Sequence, residues 1–208
     1  SIVRFIPNPE QMALKPEISG NMINGLGERG HRRPTPIYWH DPEMLAYGDM
    51  QKWFYTQNPD DPHIAAARAD RQKALDYEVP PTSGDPVQRS AEDWSDALIA
   101  HAATLDLDLI GIARVDPAWV FEGYEVKENW VVMIGIAHDY DEVSHVPTGR
   151  GGAEVVRHYG RGLTAAKDLA AWSRSQGHDA EPHAGPLAGP ILLIPHAVSS
   201  GSGVLANP

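Results

Sequence analysis

Two stretches, LIGIARVDP at Leu109–Pro117 and MIGIAHDYD at Met133–Asp141, share an Ile-Gly-Ile-Ala core. Each is a continuous apolar run that breaks abruptly into charged residues. Such runs are typical of strands that are covered on both faces. The sequence therefore predicts two strands of one buried sheet. The glycines within them, Gly111 and Gly135, would let a helix or a ligand approach the sheet closely.

Helical patterns flank these strands. Alanines and long side chains predict a helix over about 63–77, and a capping pattern that begins at Ser90 predicts a second. A long apolar stripe predicts a third helix over about 152–176, ended by Gly177 as a C-cap glycine. A further short strand is expected at about 179–183. This order predicts an α/β (α+β) fold, with a central mixed sheet flanked by helices.

Residues 1–62 differ from the rest of the chain because they combine many prolines and glycines with aromatic residues that follow no period. A disordered tail would be poor in aromatics. The segment therefore predicts an extended arm that packs on its own domain or on a second subunit, which would make a homodimer. The expected division is an arm over 1–62 and one α/β domain over 63–208, which is incomplete at its C-terminus if the chain is part of a longer protein.

Composition excludes several classes of function. A formal net charge of −11, with 17 lysines and arginines, is unsuited to nucleic acid or to an anionic membrane surface. No apolar run approaches the ~20 residues that span a bilayer, and no signal-peptide pattern is present, so we expect a cytoplasmic protein. The chain has no cysteine, which excludes disulfides, thiolate zinc sites and cysteine-ligated iron–sulfur clusters.

A first candidate site is the segment HYGRG at His158–Gly162, inside the long predicted helix. Glycine within a helix costs up to ~1 kcal/mol relative to alanine, so Gly160 and Gly162 indicate that something approaches this turn. Arginines near a tyrosine hydroxyl favour its ionised form, which makes Tyr159 a candidate acid and Arg161 its neighbour. The alternative is a core tyrosine whose hydroxyl bonds to the backbone.

Two further groups of residues are weaker candidates. The SSGSG loop at Ser199–Gly203 and the RGG segment at Arg150–Gly152 suit a phosphate cradle of backbone N–H groups, although Ser/Gly loops are also ordinary turns. Carboxylates and imidazoles after the second strand suit divalent ions, but they lack the spacing of a dedicated zinc motif, which favours a solvated loop and no metal site. These residues are His138, Asp139, Asp141 and His145.

The order and spacing of these motifs resemble the catabolic, cobalamin-dependent reductive dehalogenases and, more distantly, epoxyqueuosine reductase. The helix motif is YxRGxxxAKxLAxWxRxQG, and NPEQMALKPE and YWHDPEML in the arm are similar as well. The resemblance extends along most of the chain, and outside the arm the matching segments are Leu109–Pro117, Val131–Tyr140, Tyr159–Gly177 and Ala184–Gly203.

The resemblance implies a nitroreductase-like fold that holds cobalamin with its base off. It implies reductive removal of halide from a small halogenated aromatic, such as a halophenol, with electrons from two iron–sulfur clusters and a proton from a tyrosine. Tyr159 matches that tyrosine, and Arg157 or Arg161 would adjust its acidity. The cofactor-binding residues implied are Arg161, Ser199, Ser200, Gly201, Ser202 and Gly203.

Two departures from the family keep other interpretations open. The family's clusters are bound by cysteines in a C-terminal ferredoxin-like part, whereas this chain reaches Pro208 without one, so electrons would come from a separate ferredoxin-like domain or donor. The loop also lacks the charged residues usual after its second glycine. The alternatives are a cofactor-free, duplicated domain that serves as a structural or dimerisation module, and a flavin-binding domain on the same broad fold.

Overall fold

The computed structural model describes residues 30, 32–36, 40–44, 49, 51–52, 60–185 and 189–204. Most of the arm predicted over 1–62, and with it the predicted homodimer contact, lies outside the described residues. The elements below are those of the described part of the chain.

The described elements form a mixed α/β protein. In chain order they are α1 (Pro62–Asp76), α2 (Ala91–Ala102), β1 (Leu109–Arg114), β2 (Trp130–Gly135), α3 (Tyr140–Val143), α4 (Gly149–Ser175) and α5 (Leu193–Ser199), with 3-10 turns at Pro42–Met44 and Pro117–Trp119. The three predicted helices are confirmed as α1, α2 and α4.

The strand expected at about 179–183 is wrong, because these described residues form a loop. Side chains at the end of α4 donate hydrogen bonds to the carbonyl groups of this loop. The Ser173 hydroxyl donates to His178 O, and Arg174 Nε donates to Ala180 O. Bonds to the helix thus replace the bonds that a neighbouring strand would have made.

Local sequence signals set the helix ends. The Asp61 carboxylate accepts hydrogen bonds from the first-turn N–H groups of α1, and the Ser90 hydroxyl accepts from Asp93 N–H at the start of α2, as capping residues do. Gly177 follows α4 with φ +81°, and a Cβ there would lie 2.6 Å from Pro86 Cα. The predicted C-cap glycine is therefore confirmed, by conformation and by space.

The sheet is two-stranded and antiparallel in the described part of the chain. Asp108 N–H bonds to Gly135 O at 2.9 Å, and Val115 N–H bonds to Asn129 O at 3.0 Å, so the start of each strand meets the end of the other. The predicted central mixed sheet, and with it the cobalamin-domain architecture, finds no support in these strands.

The outer face of β2 is also open to solvent, contrary to the expectation of strands covered on both faces. Trp130 is 55% exposed and Val132 is 38% exposed. Side chains two residues apart share one face of a strand, and an antiparallel pair can leave one face to water. Gly135 accommodates a neighbour within the sheet, because a Cβ there would lie 3.0 Å from Leu109 Cβ.

The chain divides into two compact units. Among the described residues, one unit includes Gly111–Met133 and 190–204. The other includes 60–110 and 134–185, with helices α1 to α4. Both strands pass from one unit into the other along the chain.

In the helical unit, α1 packs along α4 with both helices running in the same direction. Ile64 faces Gly152, and Arg71 faces Gly160, where a Cβ would lie 3.3 Å from Arg71 Cα. The close approach predicted at the HYGRG segment is thus confirmed, and what approaches is helix α1. Farther along, the buried Lys167 ammonium donates to the carbonyls of Ala74 and Leu75 in the last turn of α1 and to that of Tyr77, which follows the helix.

In the other unit, α5 is anchored by a histidine that is 0% exposed, His196. Its Nε2 accepts a hydrogen bond from Asp116 N–H at 3.3 Å, and its Nδ1 lies 2.6 Å from Leu192 O. Because a carbonyl oxygen can only accept, Nδ1 carries the proton. The Trp119 ring and this imidazole pack edge to face with 5.0 Å between centroids, and the Ser/Gly loop follows directly on α5.

Candidate functional site

Tyr159 lies half-buried on α4 in the helical unit. Gly185 packs closely on its ring, since a Cβ at Gly185 would lie 2.8 Å from Tyr159 Cδ1. The His158 ring meets the tyrosine ring edge to face, with centroids 6.4 Å apart. The ring of the candidate acid is therefore fixed by contacts on both sides.

Arg161, two residues farther along α4, is held by a carboxylate. Its Nε and Nη2 donate to the two oxygens of Asp106 at 2.7 and 2.9 Å, and its Nη1 donates to Ala137 O at 3.2 Å. This hydrogen bonding lowers the pKa of Asp106 and raises the pKa of Arg161. The guanidinium thus ties α4 to the segments before β1 and after β2.

Arg157, the other arginine near Tyr159, belongs to a second charged network. Its Nε donates to the buried Glu154 carboxylate, and its Nη2 donates to Glu142, each at 3.3 Å. Glu142 also takes two hydrogen bonds from Arg150, at 2.6 and 2.9 Å, which lower the pKa of Glu142 to about 2. Both arginines suggested as neighbours of the acid are therefore neutralised by carboxylates.

A pair of histidines completes the cluster at the end of β2, and the sequence did not predict it. The rings of His138 and His158 stack with centroids 3.9 Å apart. His158 Nε2 donates to Ile136 O, and His138 Nδ1 lies 3.7 Å from the Glu154 carboxylate. Glu154 and His158, four residues apart on one helix, share a face, but the approach of His138 to that face is a tertiary contact.

The acidic loop after β2 serves the local fold. The Asp139 carboxylate caps α3 by accepting from Asp141 N–H and Glu142 N–H, and the His145 ring bonds to Asp141 O and to Arg150. Within the described ranges, no group of three histidine or acidic side chains is arranged to hold a metal ion.

The RGG segment forms the first turn of α4, where its glycines receive close neighbours. A Cβ at Gly151 would lie 2.6 Å from Val146 N, and one at Gly152 would lie 3.2 Å from Ile64 Cδ1. Packing therefore accounts for these two glycines without a bound phosphate.

The serines of the loop at Ser199–Gly203 are turned toward the protein. The Ser200 hydroxyl donates to Ala197 O at 2.8 Å and lies 2.7 Å from the Ser202 hydroxyl. A Cβ on Gly111 of β1 would collide with both hydroxyl oxygens. The approach predicted at Gly111 is therefore made by this loop.

The loop's two glycines face open space. Gly201 has φ +77°, which favours glycine whatever its surroundings. Gly203 has no such conformation, and no atom lies within 4 Å of the position of its Cβ. Nothing in the described part of the chain accounts for a glycine at position 203.

The structure divides the predicted site residues between the two units. Tyr159 and Arg161 belong to the helical unit, and Ser199–Gly203 belongs to the unit that contains α5. Some of these residues suit a bound cobalamin and others do not. The open backbone at Gly201 and Gly203 suits a flat macrocycle, whereas the side chains of Arg161 and of the loop serines are engaged within the protein.

Two comparisons with known proteins identified no relative of this chain. A scan against models of known families found no match, and a search of curated proteins found no similar sequence. Among the described helices, none is long and apolar enough to cross a bilayer.

Proposed function

We propose that this chain is a cobalamin-holding oxidoreductase module of the reductive-dehalogenase type, acting on a small halogenated aromatic in the cytoplasm. The observation that carries the proposal is Gly203. Glycine is favoured where backbone must adopt a left-handed conformation or approach another group closely. Gly203 meets neither need within the described residues, so its open backbone leaves room for a flat ligand to approach closely.

In this proposal the backbone of Gly201–Gly203 contacts the corrinoid. Bound cobalamin would supply the reducing metal centre for cleavage of the carbon–halogen bond. Replacing halide by hydrogen consumes two electrons and one proton. The electrons come from an iron–sulfur donor, because this chain has no cysteine to hold a cluster. Tyr159 keeps the role that the resemblance gives it, donation of its hydroxyl proton to the substrate carbon.

The first experiment is a titration of the chain with cobalamin, followed by the visible spectrum. We expect saturable binding with a base-off shift, lost in Gly203→Val. Gly30→Val is the matched control, because Gly30 also has open space at its Cβ position and no positive φ. A flat titration at concentrations well above micromolar, or equal loss in both variants, contradicts the proposal.

One observation favours a second candidate, a cofactor-free structural module. Arg161 is fully engaged by Asp106 and Ala137, and the Ser200 and Ser202 hydroxyls bond to each other. A domain without a cofactor would retain the polar residues of a motif only where they stabilise the fold. Such a module would show the same thermal midpoint with and without cobalamin, whereas a ligand bound at a hundred times its Kd stabilises by about 2.7 kcal/mol.

A further inference from the structure

The helical unit contains an open cleft with a volume of about 520 Å³ between α1 and α4. This volume lies within the range of small-molecule sites. The α1 side of its wall includes Arg71, Lys73 and Tyr77, and the α4 side includes Arg161, Thr164 and Asp168. Neither the candidate acid nor the Ser/Gly loop lines it, although Arg161, one of the residues implied for cofactor binding, does.

Most charges around this cleft are already paired. Lys73 Nζ lies 2.8 Å from the Asp70 carboxylate, and Arg161 binds Asp106 through both carboxylate oxygens. Arg157 is held by two glutamates. Burial, and then a hydrogen bond to the Asp168 carboxylate, raise the pKa of Tyr77.

Arg71 is different. Its Nε is buried and has no hydrogen-bond acceptor. Among the described residues, Arg71 is the one cation of the cleft wall for which the structure gives no partner. Its Cα, Cβ and Cγ pack along the backbone of Gly160, at 3.3 to 3.6 Å from the position of a Cβ there. The stem is therefore fixed by the helix contact, and the side chain lines the cleft.

We propose that this cleft binds a small organic carboxylate through the guanidinium of Arg71. Buried polar groups without a partner are uncommon in folded proteins, and a guanidinium fits a carboxylate through two parallel hydrogen bonds. The charges of the wall favour a carboxylate over a phosphate. A monoanion matches the single unpaired cation, while the carboxylates of Asp70, Asp106 and Asp168, the last bonded to a hydroxyl and not to a cation, would repel a second negative charge.

The other residues of the cleft wall indicate the chemical character of the rest of the ligand. The Tyr77 ring, Ala74 and Ala165 present apolar surface beside the charged residues. Apolar walls with a few polar groups are typical of sites for small organic molecules. An aromatic or short aliphatic acid combines the carboxylate with a matching apolar body.

The test is calorimetric titration of the full chain with benzoate. Arg71→Gln should weaken binding at least tenfold. Arg68→Gln is the matched control, because it removes the same charge from the same helix and Arg68 does not line the cleft; it should change the Kd less than twofold. Equal weakening by both variants, or no saturation at about 100 mM benzoate, overturns the proposal.

A second variant keeps the test independent of any effect of Arg71 on folding. Thr164 lines the cleft and is exposed, so Thr164→Glu adds a repulsive carboxylate without entering the core. It should also weaken benzoate binding at least tenfold. Unchanged binding in Thr164→Glu places the ligand elsewhere and overturns the proposal, and tighter binding of inorganic phosphate than of benzoate overturns the carboxylate class.

Discussion

Two regions carry the sequence motifs of the proposed site, and they differ in what they leave available. On α4, Arg161 forms an ion pair with Asp106, and Arg157 forms ion pairs with two glutamates. In the loop at Ser199–Gly203, the hydroxyls are turned inward and the glycine backbone is open. The comparison teaches that the charged residues of the helix motif and the serines of the loop are explained by the fold, while Gly203 is not.

The largest expected effect concerns the polar groups of α4. Lys167→Met removes three hydrogen bonds to the end of α1 and should lower the free energy of unfolding by about 3 kcal/mol. Lys73→Met is the control, since it removes only a surface ion pair with Asp70 and should cost much less. Urea unfolding of both variants measures the difference. Equal costs would show that burial of Lys167 has little energetic weight.

The next largest effect should be a difference between substitutions at the two glycines of the helix motif. A valine at Gly160 would press on the backbone of Arg71, so Gly160→Val should cost about 2 kcal/mol. At Gly162 the nearest atom is Ile136 Cδ1, 3.8 Å from the Cβ position, and Gly162→Val should stay within about 0.5 kcal/mol of the parent. Thermal unfolding of the pair checks this, and a reversed order would contradict the packing of α1 on α4.

Acid should weaken the charged network of α4. The arginine partners lower the pKa of Glu142 from 4.5 to about 2. A carboxyl whose pKa is lower in the folded protein stabilises it above the unfolded value and loses that effect as pH falls through the folded value. Urea midpoints should therefore be insensitive to this group above about pH 5 and decline from 4.5 toward 2.

The matched variants for this pH profile are Glu142→Gln and Glu125→Gln. Glu125 is an exposed carboxylate in the other unit. The decline should be shallower in Glu142→Gln than in Glu125→Gln. Identical profiles would mean that the ion pairs with Arg150 and Arg157 do not couple to folding.

The smallest effect is expected in the loop. Because its Cβ position is open, Gly203→Val should change the free energy of unfolding by less than about 0.5 kcal/mol. The comparison depends on this result. A loss of about 2 kcal/mol would give Gly203 a structural reason and would remove the observation that supports cobalamin binding.

Local patterns decided the helices. Ser90 before Asp93, the alanine-rich run of α1, and Gly177 after α4 each act through residues a few positions away. Caps and helix propensity are short-range effects, so a short stretch of sequence contains all the residues that interact. The two strands were also found from their apolar runs, since a run bounded by charged residues is itself a local signal.

Only the tertiary structure decided which groups remain available to a ligand. The counterion of Arg161 lies 55 residues away at Asp106, and the neighbour of Gly160 is Arg71 on another helix. The exposed face of β2 at Trp130 depends on what covers the sheet, which a periodic pattern does not contain. Charge pairing and close packing act between atoms that are near in space, whatever their separation along the chain. The sequence therefore determined where the helices begin and end, and the fold determined that Arg161 is bound while Arg71 and the backbone of Gly203 are not.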